Sequence, residues 1–212
     1  MARQLTLALA LSLAFAASAG AQPSRPISPR AASLIRTGEA YLAAGDRGSA
    51  IAYFRDAIAA DPQAAPAYEG LGECYRGRGS LEDARRAYEI GLARLPDAAP
   101  LWMGLARTLE AMCALDDAAR ALRSLLARHP DHLEGLAFRA DLARRRGAWS
   151  EALTTYRALL SRARELSSDQ VSEARRYEAA LRILARPLDP VSAPRACEAS
   201  PLRRALARCD ES

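Results

Sequence analysis

Apolar and small residues recur at helical spacing through the middle of the chain. Residues 65 to 78 place such side chains on one face of a helix: Tyr68, Leu71, Gly72 and Tyr75. Residues 81 to 94 do the same with Ala84 and Tyr88. Polar and charged residues fill the remaining positions, which is typical of amphipathic helices. The pattern predicts two helices separated by a short turn.

Residues between and after these segments are those that start and end helices. Gly79 suits a left-handed residue after the first helix, and Ser80 suits the N-cap of the second. Pro96 ends the second helix because it offers no backbone donor. Gly72 and Ala84 are small enough to let two helix backbones approach to about 8 Å. The segment therefore predicts a pair of antiparallel helices.

The same pattern recurs on both sides at one constant spacing, which the aligned Pro62, Pro96 and Pro130 mark. The earlier copy carries matching residues: Leu34, Gly38, Tyr41, Gly45, Ala50, Phe54, Ala57 and Pro62. The later copy has Leu109 for the aromatic residue, Cys113 for the turn glycine, and these direct matches: Trp102, Leu105, Ala106, Ala118 and Pro130. A fourth copy from Leu133 has Arg164 in place of the closing proline and keeps Ala140, Gly147, Ala152 and Tyr156. The copies predict helices at 31–44, 47–60, 65–78, 81–94, 99–112, 115–128, 133–146 and 149–163.

This ladder of residues resembles the tetratricopeptide repeat. The resemblance implies an all-α fold, a right-handed solenoid of antiparallel helix pairs, with four units over residues 31–164, at about 31–64, 65–98, 99–132 and 133–166. A solenoid needs an end helix with one polar side. Residues 167–186 supply it, with an apolar stripe of Val171, Ala174, Tyr177, Leu181 and Leu184.

Residues 1–21 have the layout of a cleavable signal peptide. Arg3 precedes an apolar run, and small residues stand before Gln22, so cleavage is expected after Ala21 or, alternatively, after Ala19. No cysteine lies near this junction, so a lipoprotein is not predicted. We expect a periplasmic protein without a stable membrane anchor. Residues 22–30 contain three prolines and should form a flexible lead-in.

The chain changes character over residues 187–212, which contain four prolines. A short helix is predicted over residues 201–208, and the tail is either a docking element or a loose end. Cys197 and Cys209 bracket this helix at a spacing that lets the thiols meet, so we expect a disulfide in an oxidising periplasm. Cys74 and Cys113 lie one repeat apart and are either a second bridge or buried thiols.

Charge and chemistry point away from nucleic acid and catalysis. The net charge is +5, but the arginines are interleaved with acids along every predicted helix, so no basic stripe is expected. The sequence lacks the common nucleophile, phosphate-loop and zinc motifs, so neither an enzyme nor a cofactor is predicted. His129, Asp131 and His132 could form part of a metal site. An inter-repeat turn, with Asp131 capping the next helix, explains them better, so no metal is predicted.

The resemblance also implies a concave groove lined by the first helix of each unit. Carried onto this chain, the apolar positions of this groove include Ile35, Leu42 and Met103. Its charged positions are Glu39, Glu69, Glu73, Arg76, Arg107, Glu110, Asp141, Arg144 and Arg145. Such a groove would be acidic in its N-terminal half and basic in its C-terminal half. Met103 would be an adaptable apolar contact.

These expectations converge on a non-catalytic scaffold or adaptor of the cell envelope that binds a protein or peptide in the groove. The alternative is a self-associating structural subunit, a homo-oligomer within secretion, pilus or polysaccharide machinery. Family members that clamp the acidic C-terminus of cytosolic chaperones use lysine and asparagine in the groove. This chain contains neither residue, so that clamp is not predicted.

Overall fold

The computed structural model describes residues 26–184, and within them it forms nine α-helices and one short 3₁₀ helix. Their bounds are α1 Pro29–Ala43, α2 Arg47–Ala60, α3 Ala65–Gly77, α4 Leu81–Arg94, α5 Ala99–Ala111, α6 Leu115–Arg128, α7 Leu133–Arg145, α8 Trp149–Leu160 and α9 Ser168–Leu184. The 3₁₀ helix is Ala163–Glu165. Helices pack mainly on their neighbours in sequence, and α3 also contacts α1 and α5. The predicted all-α solenoid of helix pairs is confirmed.

The hydrophobic core follows the solenoid as three successive clusters. The first joins α1 to α4 around Phe54, the second joins α3 to α7 around Tyr88, and the third joins α6 to α9 around Tyr156. Each unit thus buries its apolar face against its neighbours. In the last described helix, α9, Ala174 and Leu181 are buried against α8 and the opposite side is exposed. The predicted capping helix is confirmed.

Turns within the units have left-handed residues at one fixed position. Gly45, Gly79 and Gly147 have φ of 84°, 79° and 72°, and Cys113 has φ of 60° at the same place. The predicted role of Gly79 is confirmed, and Ser80 N bonds to Tyr75 O at 3.0 Å to close the helix end. Ser80 occupies the N-cap position of α4, as predicted, but its side chain makes no capping hydrogen bond to the helix.

Two helix bounds differ from the sequence prediction by more than one residue. Helix α1 begins at Pro29 rather than at residue 31, because the Ser28 side chain accepts from Ala31 N and Pro29 suits the first turn. Helix α8 ends at Leu160 rather than at residue 163, and a 3₁₀ turn follows it. The fourth unit lacks the closing proline, and its second helix ends in this tighter turn.

Several expectations lie outside the described residues. They are the signal peptide, most of the lead-in, the linker, the tail helix and the disulfide between Cys197 and Cys209. Within residues 26–184, no helix combines the length and the apolar character needed to cross a membrane. No disulfide joins Cys74 to Cys113 in this part of the chain, and Cys74 is fully buried.

Candidate functional site

The candidate site is a cavity of about 190 Å³ on the face formed by the first helices of successive units. It is lined by Glu69, Glu73, Arg76, Tyr88, Pro100, Met103, Gly104, Arg107, His132 and Glu134. Five of the ten groove residues expected from the sequence lie together here, and they come from α3 and α5. We call this cavity and the adjoining surface of α1 and α7 the groove.

Tyr88 enters the groove from α4, the second helix of its unit. It passes between two glycines, because a Cβ atom on Gly72 would lie 2.4 Å from its ring and a Cβ atom on Gly104 would lie 2.3 Å away. Burial raises the pKa of Tyr88 well above its ordinary value, and the charge of Glu73 raises it further. The phenol is therefore even harder to ionise than an exposed tyrosine.

Carboxylates dominate the groove at α1 and α3. Burial raises the pKa of Glu69, and the nearby charges of Glu73 and Glu39 raise it further. Glu73 pairs with Arg76 at 3.1 Å, whereas Glu39 and Glu69 form no ion pair with any described residue. Two uncompensated negative charges thus face this end of the groove.

The arginines of the groove are each paired with an acid. Arg107 pairs with Glu134 on α7, although each side chain remains about half exposed. Arg145 reaches back to Glu110 on α5 and also lies 2.9 Å from Asp141. The expected basic half is therefore largely neutralised, because these guanidinium groups already have carboxylate partners.

Arg144 belongs to an aromatic cluster at the end of the array. Its guanidinium carbon lies 4.8 Å from the centre of the Tyr177 ring, and it bonds to Asp141 at 2.5 Å. Burial raises the pKa of Tyr156, beside this cluster, to about 12. Arg144 holds α7 against α9, so its role here is to fasten the capping helix.

The remaining groove predictions are corrected by burial. Met103 lines the cavity but is only 5% exposed, so it offers little surface to a partner. Ile35 is 6% exposed and belongs to the core around Phe54, and Leu42 packs against the same core. Apolar side chains at these positions point into the core, because packing against the neighbouring repeat removes them from water.

Five lining residues were not identified as groove residues from the sequence: Tyr88, Pro100, Gly104, His132 and Glu134. Glu134 lies on α7, the first helix of its unit, so the expectation that first helices line the groove could have found it. His132 precedes α7, and Tyr88 lies on a second helix, so no rule about first helices selects them. Tyr88 could have been found from the glycines opposite it, since these leave room for its ring.

The two histidines serve the turn before α7. His129 Nε2 lies 2.7 Å from Asp97 O, and His132 Nδ1 accepts a hydrogen bond from Gly135 N at 3.0 Å. The predicted cap by Asp131 is wrong, since His132 provides it and Asp131 instead bonds to Arg162. Among residues 26–184, no group of three or more histidine, cysteine or acidic side chains could hold a metal ion.

The spacing, turns and helix pairs agree with one protein family. The sequence model of the tetratricopeptide repeat matches residues 41–108 and 78–142. Residues 41–142 therefore match the tetratricopeptide repeat in sequence, and their helix pairs agree with that fold. No curated protein matches the chain in sequence.

Several solved structures share the fold. A tetratricopeptide repeat protein from Parabacteroides merdae is 20% identical with a TM-score of 0.62, over 73% of this chain. This chain spans only 61% of that protein. MamA protein is 16% identical with a TM-score of 0.57, over 73% of this chain and 87% of its own.

A third similar structure contains a peptide. The first repeat domain of Spaghetti (RPAP3), bound to the HSP90 peptide SRMEEVD, is 17% identical with a TM-score of 0.52. The similarity covers 56% of this chain and 97% of that domain. At these levels of identity the likeness concerns the fold alone.

Proposed function

We propose that this protein is a non-catalytic adaptor of the bacterial cell envelope, which holds an extended or helical segment of a partner protein in the groove. The observation that carries this proposal is the pair of unpaired carboxylates, Glu39 and Glu69, beside a cavity lined by repeat helices. Tyr88 adds a buried phenol at the base of that cavity. Helical repeats commonly use such extended concave surfaces for binding.

The partner segment carries positive charge where it meets α1 and α3. Its arginine or lysine side chains would lie against Glu39, Glu69 and Glu73, which bear only one paired arginine, Arg76. The HSP90 peptide of the RPAP3 complex is acidic, with the letters EEVD at its end. That charge is the opposite of what this end of the groove favours.

The proposed compartment rests on the sequence of residues 1–21. An apolar run behind Arg3 and small residues before Gln22 favour export and cleavage. The partner would then be another protein of the periplasm or of a membrane that faces it. Assemblies for secretion, pili or polysaccharide export offer such partners.

Polar residues on α1 favour the adaptor over self-stacking of repeats. In the third unit, Leu101 and Leu105 are buried, and Leu101 lies close to the preceding helix α4. The equivalent positions of α1 hold Ser33 and Thr37, and Ser33 is exposed. A second copy stacked on α1 would therefore gain little apolar contact.

Affinity capture tests the proposal. Residues 22–212 are used as bait against periplasmic and membrane extract, and the captured protein is then purified and titrated directly. We expect Glu39→Gln combined with Glu69→Gln to weaken binding at least ten-fold. The matched control is Asp56→Asn, which removes one exposed acid of α2 outside the groove.

Two outcomes separate the surfaces of the chain. A partner that binds the double variant as tightly as the wild type would overturn the groove as its site. Bait that ends at Arg186 tests the tail in the same way. Loss of binding on that truncation, with the groove variant unaffected, would place recognition in residues 187–212.

A further inference from the structure

A second concavity lies between α4, α5 and α6. This α4–α6 groove has a volume of about 480 Å³ and shares no lining residue with the candidate site. Its principal apolar lining is formed by Leu105, Leu109, Met112 and Ala121. Its charged lining is formed by Glu82, Arg85, Glu89, Asp117 and Arg120. Pockets of roughly 300–1,000 Å³ are the usual size for a bound ligand.

The next junction between units shows what occupies the equivalent space. There, Arg139 Nε lies 3.0 Å from Glu151. Arg146 lies 3.6 Å from Glu151 and also pairs with Asp116. Arg139 stands on α7 and Arg146 directly follows it, and their side chains are only 30% and 24% exposed. Guanidinium groups thus bridge acids of α6 and α8 across this junction.

The α4–α6 groove keeps the acids but lacks those arginines. One repeat earlier in the sequence, Glu82 and Asp117 match the acids, whereas Leu105 and Met112 stand where the arginines would be. Glu82 and Glu89 pair with Arg85, and Asp117 pairs with Arg120. Within the described part of the chain, each of these pairs lies within one helix. The groove therefore combines carboxylates with an apolar lining, and it fits a segment that presents leucine beside arginine.

We propose that the C-terminal segment of this chain, residues 201–209, docks in the α4–α6 groove. The segment lies outside the described residues, and its sequence provides both kinds of side chain. Leu202 and Leu206 are four residues apart and share a face of the predicted helix. The segment also carries three arginines: Arg203, Arg204 and Arg208. The leucines would cover the apolar lining, and the arginines would meet the carboxylates.

The connecting chain is long enough for this docking. Sixteen residues, 185–200, separate α9 from the segment and span up to about 53 Å when extended. Helices α6, α7, α8 and α9 contact one another in succession, and adjacent axes lie about 10 Å apart. The axes of α6 and α9 are therefore at most about 30 Å apart. A helix of the length of α6 adds about 21 Å along its axis, which the connection also covers.

Photo-crosslinking of the full chain tests the proposal. A benzoylphenylalanine at position 205 is irradiated, and the crosslinked peptides are identified by mass spectrometry. We expect crosslinks within one chain to residues 99–111 or 115–128. Combined Glu89→Arg and Asp117→Arg substitutions should reduce their yield at least five-fold. The matched control is Asp83→Arg, an exposed reversal on α4 that does not line the groove.

A second variant, changed only in the C-terminal segment, tests the docking without any substitution in the helical array. Leu202→Asp with Leu206→Asp leaves every described residue unchanged and should lower the yield to the same extent. Circular dichroism checks that the groove variants remain folded. Crosslinks elsewhere, no crosslinks, or yields insensitive to both sets of variants would overturn the proposal. Crosslinks between two chains, seen as a dimer on a gel, would overturn docking within one chain.

Discussion

Gly72 and Tyr88 form one packing unit, because a Cβ atom on Gly72 would lie 2.4 Å from Cζ of the Tyr88 ring. A Cβ atom on Gly104 would lie 2.3 Å from the other side of the same ring. Tyr88 is only 1% exposed. The first repeat boundary is built in the same way by Gly38, Phe54 and Gly70. An aromatic residue of one second helix thus fixes the spacing of two first helices.

Gly72→Ala should destabilise the protein despite the better helix propensity of alanine. The added methyl group overlaps a buried ring, and overpacking of this kind costs about 1–3 kcal/mol. The measurement is the free energy of unfolding from urea denaturation, with helix content followed by circular dichroism.

The third unit provides the control for this prediction. It has Ala106 and Leu122 at the equivalent positions, and both are fully buried. In a Tyr88→Leu background, Gly72→Ala should therefore cost less than half of what it costs in the wild type. Equal costs in both backgrounds would mean that the alanine acts through something other than the ring.

Most of the fold could be predicted because its determinants are local and repeated. Gly79 and Pro96 mark helix ends by their own backbone chemistry, whatever lies around them. The constant spacing of the repeated pattern then identifies which helices stack on each other. The sequence also places Ser80 at the N-cap of α4, but it does not determine whether the hydroxyl makes the capping hydrogen bond, which is absent here.

The charge of the groove could be predicted only in part. The sequence identifies Arg107 and Arg145 as groove residues, but not their partners Glu134 and Glu110, which are 27 and 35 residues away. Long arginine side chains reach across a junction between units, and the choice of partner depends on their rotamers. The sequence therefore predicts the positions of these charges but not which of them remain unpaired.

Cys113→Gly should stabilise the protein by about 0.5–1 kcal/mol, because a residue with a Cβ atom is strained at positive φ. Cys113 has φ of 60°, and the other units have glycine at this turn. The midpoint of thermal or urea unfolding measures the gain. Cys113→Ala keeps the Cβ atom and serves as the control. If alanine stabilises as much as glycine, backbone strain is not the cause.

His132→Ala should destabilise α7 by about 0.5–2 kcal/mol, the usual value of an N-cap side chain. Its Nδ1 accepts from Gly135 N, whereas the equivalent caps of α3 and α5 are alanines without such a bond. His132→Asn retains a side-chain acceptor and should keep most of the stability. Hydrogen exchange of the first turn of α7 localises the effect. Equal losses in the two variants would exclude the cap as the reason.

The raised pKa of Glu69 makes stability depend on pH. Burial comes first among its causes, followed by the charges of Glu73 and Glu39. Because the folded state holds this proton more tightly than the unfolded state, stability should fall as pH rises through the window between the ordinary glutamate value of 4.5 and the raised value. Above this window the ionised carboxylate lowers the stability of the folded protein.

Glu69→Gln should therefore be more stable than the wild type at pH 7, by less than about 1 kcal/mol because the site is partly exposed. The gain should disappear near pH 3, where the wild-type carboxyl is protonated in both states. Urea denaturation at the two pH values measures it, with Asp56→Asn as the control. A gain that is equal at both pH values would show that the charge is not responsible. If Glu69 binds a cationic partner, Glu69→Gln should be more stable than the wild type and should bind that partner less tightly. The charge of Glu69 then destabilises the folded protein and stabilises the complex.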